Sequence, residues 1–379
     1  MKKVVVAGYV RSPFTLAKKG ELAFVRPDRL AAQTVAGLVK KTGVKIDDIE
    51  DVLLGCAFPE GEQGLNMARL VALMAGLPQT VAGQTINRFC GSSMQSIHSA
   101  AGAIQMGAGE VFVCAGIESM SRVPMMGYNV LPDPDFAVEV PGAYMGMGDT
   151  AENVAARWGI SRAEQEAFAV ASQQKAAAAR AAGKFVDEIV PITTKKGAIV
   201  SVDGCIRPET TLETLAGLKP AFSATGVVTA GTSSPLTDGA SATLICSLDY
   251  AEKNGLEPLA AIKSIAVSGC DPEIMGIGPV GSSLKAAARA GIDVKSIDVV
   301  ELNEAFASQA LACIRDLGLD PAKVNLDGGA IALGHPLGAT GARIVGKTAA
   351  LMKREGAKLG LASQCIGGGQ GIATILEAL

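Results

Sequence analysis

The chain has 379 residues, 49% apolar and 19% charged, with 45 glycines spread along its length and a mean hydropathy of +0.31. That composition excludes a disordered or collagen-like chain, suggests two or three domains, and leaves apolar surface for an oligomeric interface. A net charge of −3 gives nucleic acid no electrostatic foothold, and no apolar run reaches the ~18 residues of a membrane span.

Met1-Lys2-Lys3 runs into Val4-Val5-Val6-Ala7-Gly8-Tyr9, too short for a signal h-region and soon interrupted by Arg11, Ser12 and Pro13. It reads as the buried first strand of a cytoplasmic protein. A helix over 27–41, a strand over 52–55, a helix over 66–76, a strand over 84–89, a helix over 92–106 and a strand over 111–115 follow. Such alternation marks α/β architecture with buried sheets.

From about 120 to 234 the texture changes, with Met120, Met125, Met126, Met145 and Met147, several prolines and an alanine-rich helix over 161–182. These methionines line an adaptable surface or fill gaps in an irregular core. The α/β texture returns near 240 and repeats the first part. An offset of 248 residues carries Val52-Leu53-Leu54 onto Val300-Glu301-Leu302, Cys90 onto Gly338, and Val111 onto Leu359. The chain then divides into an N-terminal α/β half (1–119 plus about 235–257), a loop domain (120–234) and a C-terminal α/β half (258–379).

Eight cysteines form no CxxC pair, which excludes zinc ribbons and thioredoxin-type centres. Two histidines, His98 and His335, exclude a His-rich metal site. Cys90 stands between a predicted strand and a predicted helix, where free N–H groups and the helix dipole favour a thiolate; the alternative is a buried structural cysteine. His98 lies two turns along the same helix and points away from the thiol, as a packing residue does. His335 sits in Gly328-Gly329-Ala330-Ile331-Ala332-Leu333-Gly334-His335-Pro336, a glycine-rich loop that permits close approach. It is the plausible base, with Pro336 at the first position of a following helix. This stretch lacks the lysine and spacing of a phosphate loop. Cys365 ends a strand that begins Leu361-Ala362-Ser363-Gln364 and runs into Ile366-Gly367-Gly368-Gly369, whose glycine amides could form an oxyanion site or a tight turn. Asn303-Glu304-Ala305-Phe306 falls at a strand's carboxyl end, where α/β sites gather.

With these residues in place the chain resembles the thiolases over essentially its whole length. The motifs that carry the resemblance are Asn87-Arg88-Phe89-Cys90-Gly91-Ser92-Ser93, Gly116-Ile117-Glu118-Ser119-Met120-Ser121, Asn303-Glu304-Ala305-Phe306-Ala307, the His335 loop, and Cys365-Ile366-Gly367-Gly368-Gly369. The resemblance implies a five-layered αβαβα fold of two similar halves with an inserted loop domain. It also implies ping-pong cleavage of 3-ketoacyl-CoA through an acyl-cysteine. By that analogy Cys90 is the nucleophile, His335 activates it, and Cys365 exchanges the proton of the departing acetyl-CoA carbanion. His335 and a water held by Asn303 would face one thioester oxygen, and the amides of Cys90 and Gly367 the other. Coenzyme A and acyl-CoA would be substrates, with no permanently bound cofactor and no metal. Arg207 would lie near the adenine or phosphates, Ser234 against the pantetheine arm, and Met147 in the acyl pocket.

Met94-Gln95 after the nucleophile motif, Cys114-Ala115-Gly116, Thr232, Arg207-Pro208-Glu209-Thr210-Thr211, Gly269-Cys270-Asp271-Pro272 and Gly146 resemble the fatty-acid-degrading branch. The expected activity is therefore that of a degradative 3-ketoacyl-CoA thiolase. The second reading is a short-chain acetoacetyl-CoA thiolase working in condensation. A third, of another class, is a silent CoA-binding or scaffolding subunit, which predicts loss of Cys90, His335 or Cys365; all three are present. A homodimer or homotetramer is expected, and association with a β-oxidation multienzyme subunit is compatible with the resemblance.

Overall fold

The computed structural model describes residues 2–379. Strand Val4–Arg11 is buried along its whole length, which is why its sequence is continuously apolar rather than alternating. It lies at the middle of one long sheet. On one side it pairs antiparallel with Thr237–Ser247, which pairs antiparallel with Val111–Ser119. Asp51–Cys56 then runs parallel to Val111–Ser119 and to the edge strand Ala82–Ile86. On the other side the same pattern recurs. Ala260–Gly269 pairs antiparallel with Gln370–Glu377, that strand with Leu359–Ile366, and Leu359–Ile366 runs parallel to Val299–Leu302. The two half-sheets meet only through Val5 opposite Ala261 and Val6 opposite Ala260. The 248-residue offset carries Asp51 onto Val299 and Val111 onto Leu359, so the repeat read from the sequence coincides with strand starts.

Five layers result. Helices Pro27–Thr42 and Met67–Met74 cover the outer face of the first half-sheet. Helices Ser92–Gln105 and Leu337–Glu355 fill the space between the halves through Met94, Ile97, Ile104, Ile344 and Val345. Gly278–Ala290 and Ala307–Leu317 cover the outer face of the second. The central helices approach so closely that a Cβ on Gly341 would lie 2.2 Å from the Met94 nitrogen.

Residues 120–236 leave the sheet and carry helices Met147–Arg157 and Arg162–Ala181, the latter opened by a Ser161/Glu164 capping box. Buried charges tie this segment to the body. Arg11 binds Glu188 and Asp203, and Lys347 binds Glu188 and Asp327. Some element ends differ from the expectation. The strand expected over 84–89 is Ala82–Ile86, because Phe89 adopts a positive φ of 43° in a short 3₁₀ turn. Pro336 caps the last helix from one residue before its start. Among the described residues no helix is long and apolar enough to cross a membrane.

Candidate active site

Cys90 occupies the 3₁₀ turn Phe89–Gly91 that leads directly into helix Ser92–Gln105. The turn is held by local hydrogen bonds: the Phe89 N–H donates to Asn87 Oδ1 at 2.8 Å, and the Ser92 hydroxyl donates to the Phe89 carbonyl at 2.6 Å. These bonds support the left-handed Phe89, a conformation that costs a non-glycine residue energy and recurs at functional sites. The backbone N–H of Gly367 favours the charged form of the Cys90 thiol, and the Cys90 carbonyl accepts from the Gln364 side chain. Residues 274 positions apart in the chain are thereby brought together, the nucleophile loop of one half facing the strand Leu359–Ile366 of the other.

The expectation of a stabilised thiolate is overturned. Burial pushes the Cys90 thiol up to about 12, outweighing the N–H groups of Gly367 and Cys90 that favour the charged form. Cys365 stands at the end of strand Leu359–Ile366, one residue before its last, wholly buried, and burial raises its thiol further; a charge on Cys90 raises it again. Both sulfurs are thiols at rest, so ionisation requires a base at the moment of reaction.

His335 can serve as that base. Burial, with the positive charge of Arg343, lowers its pKa to about 3, so the imidazole is neutral. Asn303 Nδ2 donates to Nε2 at 3.4 Å, and Nδ1 lies 2.6 Å from Thr340 Oγ1. The Thr340 hydroxyl donates to the Pro336 carbonyl, which leaves its oxygen to accept from Nδ1–H. Together these contacts select the tautomer with the proton on Nδ1 and an unprotonated Nε2 that accepts from Asn303 at rest. Gly334 makes the approach possible: at φ 102°, a Cβ there would sit 2.7 Å from the Thr237 side chain, whose hydroxyl accepts the His335 N–H.

Asn303 follows strand Val299–Leu302, its N–H bonded to the Ser363 carbonyl at 3.0 Å, and its Oδ1 is buried without a partner. Of the three glycines after Ile366, only the Gly367 amide meets Cys90. Gly368 and Gly369 have φ near +80° and form the hairpin, with a Gly369 Cβ colliding with the Cys270 carbonyl at 2.3 Å.

Met147 begins helix Met147–Arg157 and places its sulfur 3.4 Å from where a Gly367 Cβ would be; it packs with Cys365, Met275 and Phe306. Ser234 is half-buried and donates its N–H to the Ala305 carbonyl, which sets it against the Asn303 segment. Arg207 is exposed, its backbone bonded to Gln173. His98 lies in the central layer, with Nε2 2.9 Å from Thr374 Oγ1, and takes no part in the cavity. Among the described residues no cluster of His, Cys, Asp or Glu could hold a metal ion.

Two family models match the chain: the thiolase N-terminal domain over residues 4–249 and the thiolase C-terminal domain over 256–378. The chain belongs to the thiolase family. It is 48% identical to the 3-ketoacyl-CoA thiolase of Bacillus subtilis (strain 168), over 100% of both chains. It is 50% identical to that of Aliivibrio fischeri, with the same coverage. Human mitochondrial 3-ketoacyl-CoA thiolase in complex with CoA superposes with a TM-score of 0.92 at 40% identity, covering 100% of this chain and 98% of that one. The Bacillus anthracis acetyl-CoA acetyltransferase superposes with a TM-score of 0.93 at 41% identity, covering 100% and 99%.

This thiolase also uses residues that sequence reasoning passed over. Glu118 accepts from the backbone N–H groups of Ala57, Phe58 and Gly338 and from Gln63, so one buried carboxylate joins two loops of the first half to the helix that follows His335. Its place at the end of the fully buried strand Val111–Ser119 was the available signal, since a carboxylate buried there needs donors. Glu304, beside Asn303, bonds to Ser172, Asn325 and the Ile331 N–H. It fastens the inserted segment to the His335 loop and does not join the cavity.

Proposed function

We propose that this chain is a 3-ketoacyl-CoA thiolase, cleaving its substrate with CoA to acetyl-CoA and a shortened acyl-CoA. The observation that carries this reading is the link from the Cys90 carbonyl to Gln364, the residue before Cys365, together with a neutral His335 whose Nε2 is unprotonated and faces Asn303. In the first half-reaction the Cys90 thiol gives its proton to His335 Nε2 as sulfur attacks the 3-keto carbon. The C2–C3 bond breaks, its electron pair leaves on the acetyl-CoA carbon, and Cys365 protonates that carbanion. In the second, the Cys365 thiolate takes the proton of the CoA thiol as the CoA sulfur attacks the acyl-cysteine; the Cys90 sulfur leaves and regains its proton from His335, which releases the shortened acyl-CoA and restores both thiols and the neutral imidazole.

The hard species is the enolate, and each preorganised donor facing it is worth ~3–4 kcal/mol. His335 and a water on Asn303 face one thioester oxygen; the Cys90 and Gly367 amides face the other. Residues 120–234 form the platform for CoA, with Arg207 toward the adenine or phosphates, Ser234 toward the pantetheine arm and Met147 against the acyl group. The enzyme needs no resident cofactor. Its edge strand Ala82–Ile86 and exposed Leu65 support a homodimer or homotetramer in the cytoplasm.

The second reading, a short-chain acetyl-CoA acetyltransferase working in condensation, is favoured by the likeness to the Bacillus anthracis enzyme. The two are separated by kcat/KM against ketoacyl chain length: flat or rising values beyond four carbons fit thiolysis of long chains, and steep loss fits the short-chain enzyme. A silent subunit is tested by transfer of label from radiolabelled acetyl-CoA. We expect label on Cys90, and its absence there defeats both enzymatic readings.

A further inference from the structure

The catalytic imidazole belongs to a closed ring of buried links between one strand end and one helix. Glu301 lies in strand Val299–Leu302, two residues before Asn303, so the strand's alternation turns both side chains the same way. Thr340 and Arg343 are one turn apart in helix Leu337–Glu355. Arg343 Nη1 donates to Glu301 Oε2 at 2.7 Å, and His335 spans the gap beside it, held by Asn303 at 3.4 Å and Thr340 at 2.6 Å. The chain and these contacts leave the strand end and the helix no freedom to slide without breaking one of them.

We propose that the buried Arg343–Glu301 pair is a positioning unit for His335 and Asn303, an inference that rests on the acyl-transfer reading above. The pair is poorly built for stability alone. Its side chains are 2% and 0% exposed, yet Arg343 Nε and Glu301 Oε1 are both buried without hydrogen-bond partners. An ion pair with unmet valences is a weak stabiliser beside an apolar pair of similar volume. It does supply a fixed link and a fixed charge. Burial keeps His335 unprotonated, and Arg343 is the charged group that adds to it; Glu301 in turn faces Arg343 and Lys347 from the helix, Asp327 from the loop before His335, and Glu188 from the inserted segment.

The test compares Arg343→Met, Arg343→Lys and Glu301→Gln with the unaltered enzyme in thiolysis and in the acylation burst on Cys90, after a thermal melt of each preparation. Arg343→Met and Glu301→Gln are expected to lose about 10- to 100-fold in kcat, with KM for CoA changed by less than about threefold. Arg343→Lys, which keeps the charge and loses the fork, recovers part of that loss and stands in if the methionine variant does not fold. The acid limb of the Arg343→Met profile moves toward neutral pH, because the imidazole has lost its positive neighbour. Folded variants with an unaltered kcat and an unmoved acid limb overturn the proposal, as does a loss of kcat that only follows Tm across the three. If the unaltered enzyme places no acyl group on Cys90, the acyl-transfer reading itself fails; if it does and the variants match it, only the positioning role fails.

Discussion

Two histidines of similar burial have opposite standing at the level of the single residue. Cys90 is linked to the Cys365 strand and His335 to Asn303 and Thr340; His98 is buried just as deeply but bonds to Thr374. Cys90→Ser replaces a thiol with a far weaker nucleophile and should lower thiolysis by about 1000-fold or more, with the Tm little changed. His98→Ala should do the reverse. It leaves a cavity and an unpartnered Thr374 hydroxyl, at a cost of about 2–3 kcal/mol in urea unfolding, while kcat stays within about threefold. An inactive but stable His98→Ala would show that the central-layer imidazole reaches the chemistry. The character of Cys90 was legible from its sequence neighbours, whereas its charge state was not. A helix start favours a thiolate only where water or a cation shares the site, and here burial dominates.

At the level of elements, the two helices of the middle layer carry the catalytic loops on their N-terminal ends. Ser92–Gln105 presents Cys90, and Leu337–Glu355 follows His335. Their separation depends on missing side chains. A Cβ on Gly341 would meet the Met94 backbone nitrogen at 2.2 Å, and one on Gly338 would meet the Ile117 carbonyl at 2.5 Å. Neither neighbour is the flexible end of a side chain, so relief requires helix Leu337–Glu355 to move off helix Ser92–Gln105 at Gly341 and off strand Val111–Ser119 at Gly338. Gly341→Ala should therefore lower Tm by several degrees and reduce kcat by about 10-fold or more, since both loops move with their helices. Differential scanning calorimetry with steady-state assays checks this, and a fully active variant of unchanged Tm would count against it. Helix and strand types were readable here from periodicity. The hairpin after Cys365 was not: Gly367, Gly368 and Gly369 read alike in the sequence, and only the third dimension assigns one amide to Cys90 and two residues to the turn.

For the molecule as a whole, the buried neutral imidazoles make stability depend on pH. Both fold with a pKa of about 3, against the ordinary ~6.5 of an unfolded chain. The unfolded state therefore binds more protons below pH 6.5, and stability falls as the pH drops toward 3. Each imidazole contributes a loss of about 2 kcal/mol by pH 5. Asp327, lowered to about 2 by Arg354 and Lys347 against the pull of burial, adds a loss of the same sign below its ordinary value. Glu301, raised to about 7 by burial, acts oppositely between its ordinary value and pH 7, and offsets part of the change. Melts at pH 7.5, 6 and 5 should show a falling Tm, with a shallower slope in His98→Ala. An equal slope in the two proteins would mean that His98 titrates normally.

The sequence by itself determined the α/β alternation, the repeated halves and the motifs that hold Cys90, Asn303, His335 and Cys365. Buried strands and glycine-dependent turns leave local signatures that do not need the rest of the chain. Tertiary structure decided which of those residues meet, which tautomer His335 holds, and that both thiols rest protonated. It also revealed Glu118, Thr340 and the Arg343–Glu301 pair, whose partners lie from five to more than two hundred residues away. Burial and long-range hydrogen bonds set these properties, and both exist only after the two halves have closed on each other.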